Sequence, residues 1–544
     1  MADSNSNIIK PCLVQTAQGF TVSYREKFLY SKYNPSKAIL NIIENLNIQP
    51  QTIVLCISPL LPYGIKELAQ KLPEDCIMLA CEYESQLYNF MMENAEAQDF
   101  SNVRNFSYLT RNELLELGPL LSKKKVTLQS GFTLPQPGNF RRIMRLDFSA
   151  GSQFNADLYD KVIENATNAL MTFWANRVTL VKFGRKYCTN FFKNLIYCAD
   201  TGATVPIQKY FASVEKPIIV FGAGESLQKG VSFIKKSKGG AAGFFIICAD
   251  TALQPLIAQG IIPDGVFIEE AQNVICKCFI GTQNQNIHIF AGLSSVHSLT
   301  RYFKPEQISY FTTEFTQASF IDRFEKEGIL PPKNEPFGSV GITAYYYANV
   351  FRKNPSLSVY TYGLDFAYSA GRTHTKGAMA DNARFMNSCR IKNDADFGAA
   401  FCEPAVKNGN MFTTPILQRY KQLFEDLSEG LSLSGLTRQS QYREIPGSSP
   451  RMTGIDTSRM TGIDNSRMTE VLKKERASLE EIKALLTGEK QVPREELEKE
   501  ITNLITEREY LYLHFPDGHK FTYTQSFLNR IRIEVDYYLK ILMW

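Results

Sequence analysis

The chain has little excess charge of either sign. Over its 544 residues, 60 Lys and Arg stand against 55 Asp and Glu, a net charge of +5. An excess this mild gives no electrostatic case for a polyanion, and nucleic acid is not expected as a partner. Long apolar runs are also missing. No stretch approaches the roughly 20 residues of a membrane span, and the opening MADSNSNIIK has no basic region followed by an apolar core, so a cytoplasmic protein is expected. The 11 cysteines form no framework: their number is odd and many sit in apolar runs (Cys56, Cys81, Cys198, Cys248), which predicts reduced, buried thiols. Cys276 and Cys278 make only a CxC with no second Cys or His pair nearby, so no metal site is expected. Histidine is scarce at five, so a histidine that falls in a motif carries weight. What is present, 44% apolar residues over this length, predicts two to four globular domains.

The stretch 216–272 organises the rest. Four apolar residues, 218–221, predict a short strand covered on both faces, as in a parallel sheet. Gly222-Ala223-Gly224 then turns tightly, with Glu225 and Ser226 at the mouth of a helix. A helix N-terminus gathers backbone N–H groups and favours an anion such as a nucleotide phosphate. The third glycine of the dinucleotide fingerprint is absent, so a mononucleotide site or a purely structural turn both remain open. A second strand (243–253) carries Asp250 and Thr251 at its carboxyl end, and a third ends in Glu269 and Glu270, where open α/β sheets bind ligands.

The fold class expected is α/β: a Rossmann-like central domain, a degenerate α/β N-terminal domain, and an all-helical C-terminal region. Residues 1–193 form the first domain. Strands are predicted at 52–58 and 76–82, the latter ending in Glu82, but SPLLPYG replaces the early glycines and blocks close approach to a pyrophosphate. A strand at 141–148 and a helix at 156–177 follow, with Phe173 and Trp174 expected in a domain interface. The central domain spans 194–424. In its second half Gly338-Ser339 precedes a helix, a strand ends in Gly363-Leu364-Asp365, and a polar loop carries Tyr368, Thr373 and His374. Residues 425–470 read as a flexible linker, Ser- and Gly-rich and then repetitive (SPRMTGIDT, SRMTGIDN, SRMTEV). Residues 471–544 carry three amphipathic helices that pack on the core, bind an acceptor protein or mediate oligomers.

Five motifs occur in one order: GAGESL, ADTAL, GIIPD, GSV, and GLDFAY with THTKG. Together they resemble the domain shared by the motility-associated factor flagellin glycosyltransferases and the 6-hydroxymethylpterin diphosphokinase-like proteins. YSKYNPSKA near the N-terminus is similar to a recurring segment of the former. The Gly-Ser and Gly-x-Asp-Phe segments are also similar to bacterial sialyltransferases that use CMP-activated nonulosonic acids. The chain departs from the pattern in two places: Glu225 stands where the family has proline, and Glu270 where it has Asp.

The resemblance implies transfer of a nonulosonic, sialic-acid-like sugar from a CMP donor to Ser or Thr of flagellin, in support of flagellar assembly and motility, with no cofactor or metal required. The binding residues expected are Gly222, Gly224, Glu225, Ser226, Asp250, Thr251, Glu270, Gly338, Ser339 and Thr373. Tyr368 and Tyr360 would donate hydrogen bonds to the departing phosphate. His374 would be the base, an imidazole titrating near neutrality, with Asp365 beside it. Two alternatives stand: a Mg²⁺-dependent pterin diphosphokinase with the metal on Asp250, Glu270 and Asp365, and a catalytically inactive flagellin-binding adaptor.

Overall fold

The computed structural model describes residues 10–96, 103–123, 126–316, 318–436 and 465–543. Two compact units divide the chain, Met1–Thr179 and Leu180–Trp544.

In the first unit four parallel strands, β1 (Thr52–Ile57), β2 (Ile77–Cys81), β3 (Phe106–Tyr108) and β4 (Arg142–Asp147), lie in the order β3-β2-β1-β4. Side chains of β1 alternate between two cores: Ile53, Leu55 and Ile57 join Tyr159 and Leu170, while Val54 and Cys56 join Ile39 and Ile43. Burial on both faces is why the strand reads as an unbroken apolar run. With neighbours on both sides, β1 opens a crevice at its carboxyl end. The chain fills that crevice itself. The Ser58 hydroxyl donates to the fully buried Glu82 carboxylate, which also accepts from the Tyr159 hydroxyl (3.0 Å) and the Glu84 N–H (2.8 Å). A Cβ at Gly151 would collide with Ser58 Oγ, so the chain at Gly151 packs directly onto this network. This is the physical content of the degenerate unit.

Helix α1 (Ala156–Thr201) runs well beyond the expected end at 177 and through the expected boundary at 193. Its apolar face does not stop: Leu180, Phe191, Phe192, Leu195 and Cys198 are buried in the core of the second unit. Gly184 is no helix breaker here, because a Cβ there would collide with Leu513. Trp174 lies within the first unit, its indole N–H donating to the Phe140 carbonyl (2.7 Å) and the Arg141 guanidinium stacked on its ring. The Phe173 ring stands edge-on to it.

The second unit is built on seven parallel strands: β5 (Ile218–Phe221), β6 (Phe245–Ala249), β7 (Gly265–Ile268), β8 (His288–Gly292), β9 (Ile308–Thr313), β10 (Lys333–Asn334) and β11 (Val359–Tyr362). Their order is β10-β9-β8-β7-β6-β5-β11. From β5 the chain steps outward strand by strand to β10, then returns to place β11 on the other side of β5. One face buries Ile219, Phe221, Ile246, Cys248 and Val266 beneath α2 (Leu227–Lys236) and the second half of α1. The other buries Ile218, Val220, Ile247, Phe267 and Phe290 beneath α3 (Val340–Phe351).

Beyond β11 an excursion contains α4 (Met379–Met386) and the hairpin Val406–Asn408 with Met411–Thr413. Helix α5 (Pro415–Leu436) then enters the stretch expected as linker from 425, because Phe424, Leu427 and Leu431, at helical spacing, pack against the α3 side of the sheet. The end of that stretch, from Asn465, is already helix α6 (Asn465–Thr487). The rest of it, with most of the repeat, lies outside the described residues. Helices α6, α7 (Arg494–Thr506) and α8 (Gln525–Ile541) join the core of the second unit through Met468, Leu472, Leu479, Ile501, Ile531 and Val535. At their centre is Glu475, with a fully buried side chain. It accepts two hydrogen bonds from Arg323 (2.7 and 2.8 Å) and one each from Arg508 (3.3 Å) and the Tyr510 hydroxyl (2.6 Å). All 11 cysteines are free thiols, and most are buried. Among the described residues no helix is long and apolar enough to cross a membrane.

Candidate functional site

The strand order predicts where a ligand would sit. Chain connections diverge between β5 and β11, and open α/β sheets bind ligands at the carboxyl ends of such a pair. A cleft of about 320 Å³ lies there, lined by residues that follow β5, β6, β7 and β11, and by the start of α3.

The turn after β5 is held by the turn after β11, backbone to backbone. The Gly222 N–H donates to the Tyr362 carbonyl and the Gly224 N–H to the Gly363 carbonyl, both at 2.8 Å. A Cβ at Gly222 would collide with the Gly363 carbonyl, and one at Gly224 with the Asp365 carboxylate. The glycines therefore serve an approach of chain to chain. Asp365 completes the clasp: Oδ2 accepts from the Ser226 N–H (2.8 Å) and Oδ1 from the Ser226 hydroxyl, which itself accepts from the Gly363 N–H (2.7 Å). A carboxylate of the chain thus stands at the N-terminus of α2, where a ligand phosphate was expected. Glu225 and Ser226 do not line the cleft.

The start of α3 is different. Ser339, Val340 and Gly341 line the cleft, and the Ser339 side chain makes no capping hydrogen bond. The Ile342 N–H donates to the Ser339 carbonyl (3.0 Å), whereas the N–H groups of Val340 and Gly341, at the first two helical positions, have no acceptor within the helix and lie on the cleft side. Gly338 sets the approach from behind: its φ is +77°, and a Cβ there would meet the Tyr420 ring at 2.5 Å.

On the facing wall, Asp250 follows β6 and is only 3% exposed. Its Oδ1 accepts from the Thr251 N–H (2.6 Å), while Oδ2 is buried without a hydrogen-bond partner. Burial, reinforced by the charges of Glu270 and Glu269, pushes its carboxyl up to about 7. Glu270 lines the cleft, its Oε1 accepting from the Gln272 N–H (2.8 Å). Glu269 is occupied elsewhere, accepting from the hydroxyls of Thr313 (2.5 Å) and Thr343 (2.7 Å).

The loop after β11 brings Tyr368, Thr373 and His374 to the cleft. His374 is half-buried, with Nδ1 at 3.1 Å from Thr373 Oγ1. Burial and then the nearby Arg384 cation hold its imidazole below the usual value, so it is neutral at pH 7. The loop is pinned by the Thr375 N–H donating to the Ala223 carbonyl (2.7 Å) and the Gly377 N–H donating to Asp381 (2.9 Å). An Arg384–Asp396 ion pair and a contact of Arg372 with Asp381 (3.4 Å) tie the excursion beside it. The Tyr368 hydroxyl already donates to the Ala399 carbonyl, and its ring stacks on Phe412. Tyr360 stands apart from the cleft, within β11, packed against Phe233 and Phe244.

The fold thus brings Gly222, Gly224, Asp250, Thr251, Glu270, Ser339, Asp365, Tyr368, Thr373 and His374 to one cleft and leaves Glu225, Ser226, Gly338 and Tyr360 out of its lining. Sequence reasoning missed Ile275, Leu364 and Leu417, which supply apolar lining. Leu417 comes from α5, far along the chain, and carries no motif. Among the described residues no three His, Cys, Asp or Glu side chains converge to hold a metal. The pterin-kinase arrangement needed Asp365 on such a metal, and both its oxygens are engaged by Ser226.

Comparison with known proteins returns the two families that the motifs resemble. Residues 189–371 match the family described as 6-hydroxymethylpterin diphosphokinase MptE-like. The matched segment ends before Thr373 and His374. An uncharacterized protein of Treponema pallidum (strain Nichols) is 28% identical, over 98% of this chain and 95% of its own. The fold is similar to that of a MAf glycosyltransferase from Magnetospirillum magneticum AMB-1, with a TM-score of 0.54 and 11% identity, covering 98% of this chain and 91% of that one.

Proposed function

We propose that this protein is a glycosyltransferase that takes a nonulosonic acid from a CMP donor and attaches it to Ser or Thr of flagellin in the cytoplasm. The observation that carries the reading is the switch-point cleft, in which the first turn of α3, a neutral imidazole and a wall of buried and half-buried carboxylates converge. The likeness to a MAf glycosyltransferase fold supports a transferase, and the flagellin acceptor rests on the resemblance carried by the five sequence motifs.

The residues divide the work. The α3 N-terminus, with Ser339, Val340 and Gly341, seats the donor's phosphate, the role first expected of the turn after β5. Asp250, Thr251 and Glu270 address the remainder of the donor from the opposite wall. His374 accepts the proton of the acceptor hydroxyl as its oxygen bonds to the anomeric carbon. The bond from that carbon to the phosphate oxygen breaks, and CMP leaves with the electron pair. Asp365 holds the two glycine turns together and acts through them as a positioning residue. Tyr368 has its hydroxyl on Ala399, so it supplies cleft surface and must rotate to donate to the departing phosphate.

Thermal melting with candidate ligands tests the reading. A ligand at ~100 times its Kd stabilises the folded state by about 2.7 kcal/mol. CMP or a CMP-sugar should raise Tm without added metal, and sugar transfer to flagellin should follow. A shift only with ATP and Mg²⁺ would favour the diphosphokinase, and no shift with either would favour the adaptor.

A further inference from the structure

The cleft poses an electrostatic problem for the ligand just proposed. Three carboxylates line it, Asp250, Glu270 and Asp365, and among the described lining residues there is neither Lys nor Arg. Asp365 is compensated by the N–H and hydroxyl of Ser226. Glu270 has the Gln272 N–H. Asp250 has the Thr251 N–H on Oδ1 (2.6 Å) and no donor on its other oxygen. It is 3% exposed, and its Oδ2 has no hydrogen-bond partner. As a carboxylate, that oxygen is a buried charge with no donor, and it would repel an incoming anion. As a carboxylic acid, the same atom becomes a hydrogen-bond donor in need of an acceptor. An anionic oxygen of the ligand is such an acceptor.

Building on the nucleotide-sugar reading above, we propose that Asp250 receives the donor as a neutral acid, its Oδ2–H donating to an anionic oxygen of the donor, so that binding takes up a proton from solvent wherever Asp250 is ionised beforehand. The cleft is then a proton-coupled anion site in which the cation usual for this task is replaced by a proton.

The surroundings favour the protonated form. From its own strand Asp250 faces Cys248, and from the 3-10 turn Asn273–Phe279 it faces Cys278. Burial pushes both thiols up, Cys278 to about 12, so they are uncharged at neutral pH. From the end of β7 come the charges of Glu269 and Glu270. Asp365 and His374 lie around the same cleft. The carboxylates raise the proton affinity of Asp250, and a bound anion raises it further. In the free protein its carboxyl, at about 7, is partly ionised near neutrality, so ligand entry has a proton to draw in.

The test is calorimetric titration of the full chain with CMP-N-acetylneuraminate from about pH 5.5 to about pH 8.5, in two buffers of different protonation heat. Its phosphodiester and carboxylate keep their charges across this range, so the ligand itself contributes no proton. The expected result is uptake rising from near zero at about pH 5.5 to about one proton at about pH 8.5, with Kd rising toward about tenfold per pH unit above about pH 7. Asp250→Asn keeps an acceptor for the Thr251 N–H and places an N–H donor at the other position. It should bind without proton uptake and with a flat pH profile. His374→Ala separates the other titrating group of the cleft and should keep the parent's proton uptake. Binding by the parent with no proton uptake at about pH 8.5, binding that requires Mg²⁺ and releases protons, or uptake lost in His374→Ala but kept in Asp250→Asn would each overturn the inference while leaving the donor reading intact. Absence of binding by any CMP-sugar across the whole pH range would overturn the donor reading and the inference with it.

Discussion

Asp365 grips Ser226 with both carboxylate oxygens, one on the backbone N–H at 2.8 Å and one on the hydroxyl, and so occupies the N-terminus of α2 from within the chain. The Gly-Ala-Gly turn is consequently a clasp between the β5 and β11 strand ends. Ser226→Ala should leave the Gly363 N–H and one Asp365 oxygen without partners, at a cost of about 1–3 kcal/mol. Calorimetric Tm should fall accordingly, and nucleotide affinity should weaken because the clasp shapes the cleft. An unchanged Tm would show that the clasp is not structural.

Asp250 predicts a pH-dependent stability. Its folded value of about 7 lies above the ordinary 3.8, so its destabilising contribution is absent below about 3.8, grows between the two values and is complete above about 7. Asp250→Asn should therefore stabilise the protein at pH ~8 by up to ~4 kcal/mol, with the gain vanishing near pH ~4. Denaturant melts at both pH values measure the difference. A gain of equal size at both would remove ionisation as the cause.

His374→Ala should lower the transfer rate by about 10²- to 10⁴-fold, the usual worth of a positioned base, with CMP affinity preserved. Burial and Arg384 depress the imidazole, so the acidic limb of the rate profile should lie below pH 6.5. Arg384→Ala removes the neighbouring cation and should move that limb to higher pH. A parent-like rate in His374→Ala would end its assignment as the base.

Glu475 opposes burial with two arginines and a tyrosine, and the ion pairs win: burial alone would raise its carboxyl, but Arg323 and Arg508 hold it below 4.5. Its contribution to stability is present above about 4.5 and is lost as pH falls through the depressed folded value. Glu475→Gln should cost about 3–5 kcal/mol at neutral pH by stranding buried guanidinium groups, and it should loosen α6 from the core. Hydrogen exchange across α6 and α7 reports this directly.

Tyr360→Phe should leave both CMP affinity and transfer rate at parent levels, since the ring packs between Phe233 and Phe244 away from the cleft. A rate loss of tenfold or more, about 1.4 kcal/mol, would return the hydroxyl to the reaction.

By itself the sequence determined the α/β class, the Ile218–Phe221 strand, the polar residues at strand ends and the start of α3, because these are local. Apolar runs of four to six residues specify doubly covered strands, and glycine followed by a polar residue marks where a strand turns into a helix. The degenerate first unit was legible for the same reason, in the prolines that follow β1. Tertiary structure alone decided what each group does. Gly222 and Gly224 can face a phosphate or another chain segment, and only the position of Gly363 and Asp365 selects the latter. Asp250 and Asp365 are the same residue following strands of one sheet, yet Ser226 engages both oxygens of Asp365 while Asp250 keeps Oδ2 without a partner. Tyr360 and Tyr368 look equivalent along the chain, but strand pairing with β5 places the first in an aromatic cluster away from the cleft. Hydrogen-bond partners contributed by residues more than a hundred positions away leave no local trace, and they decide charge, availability and role.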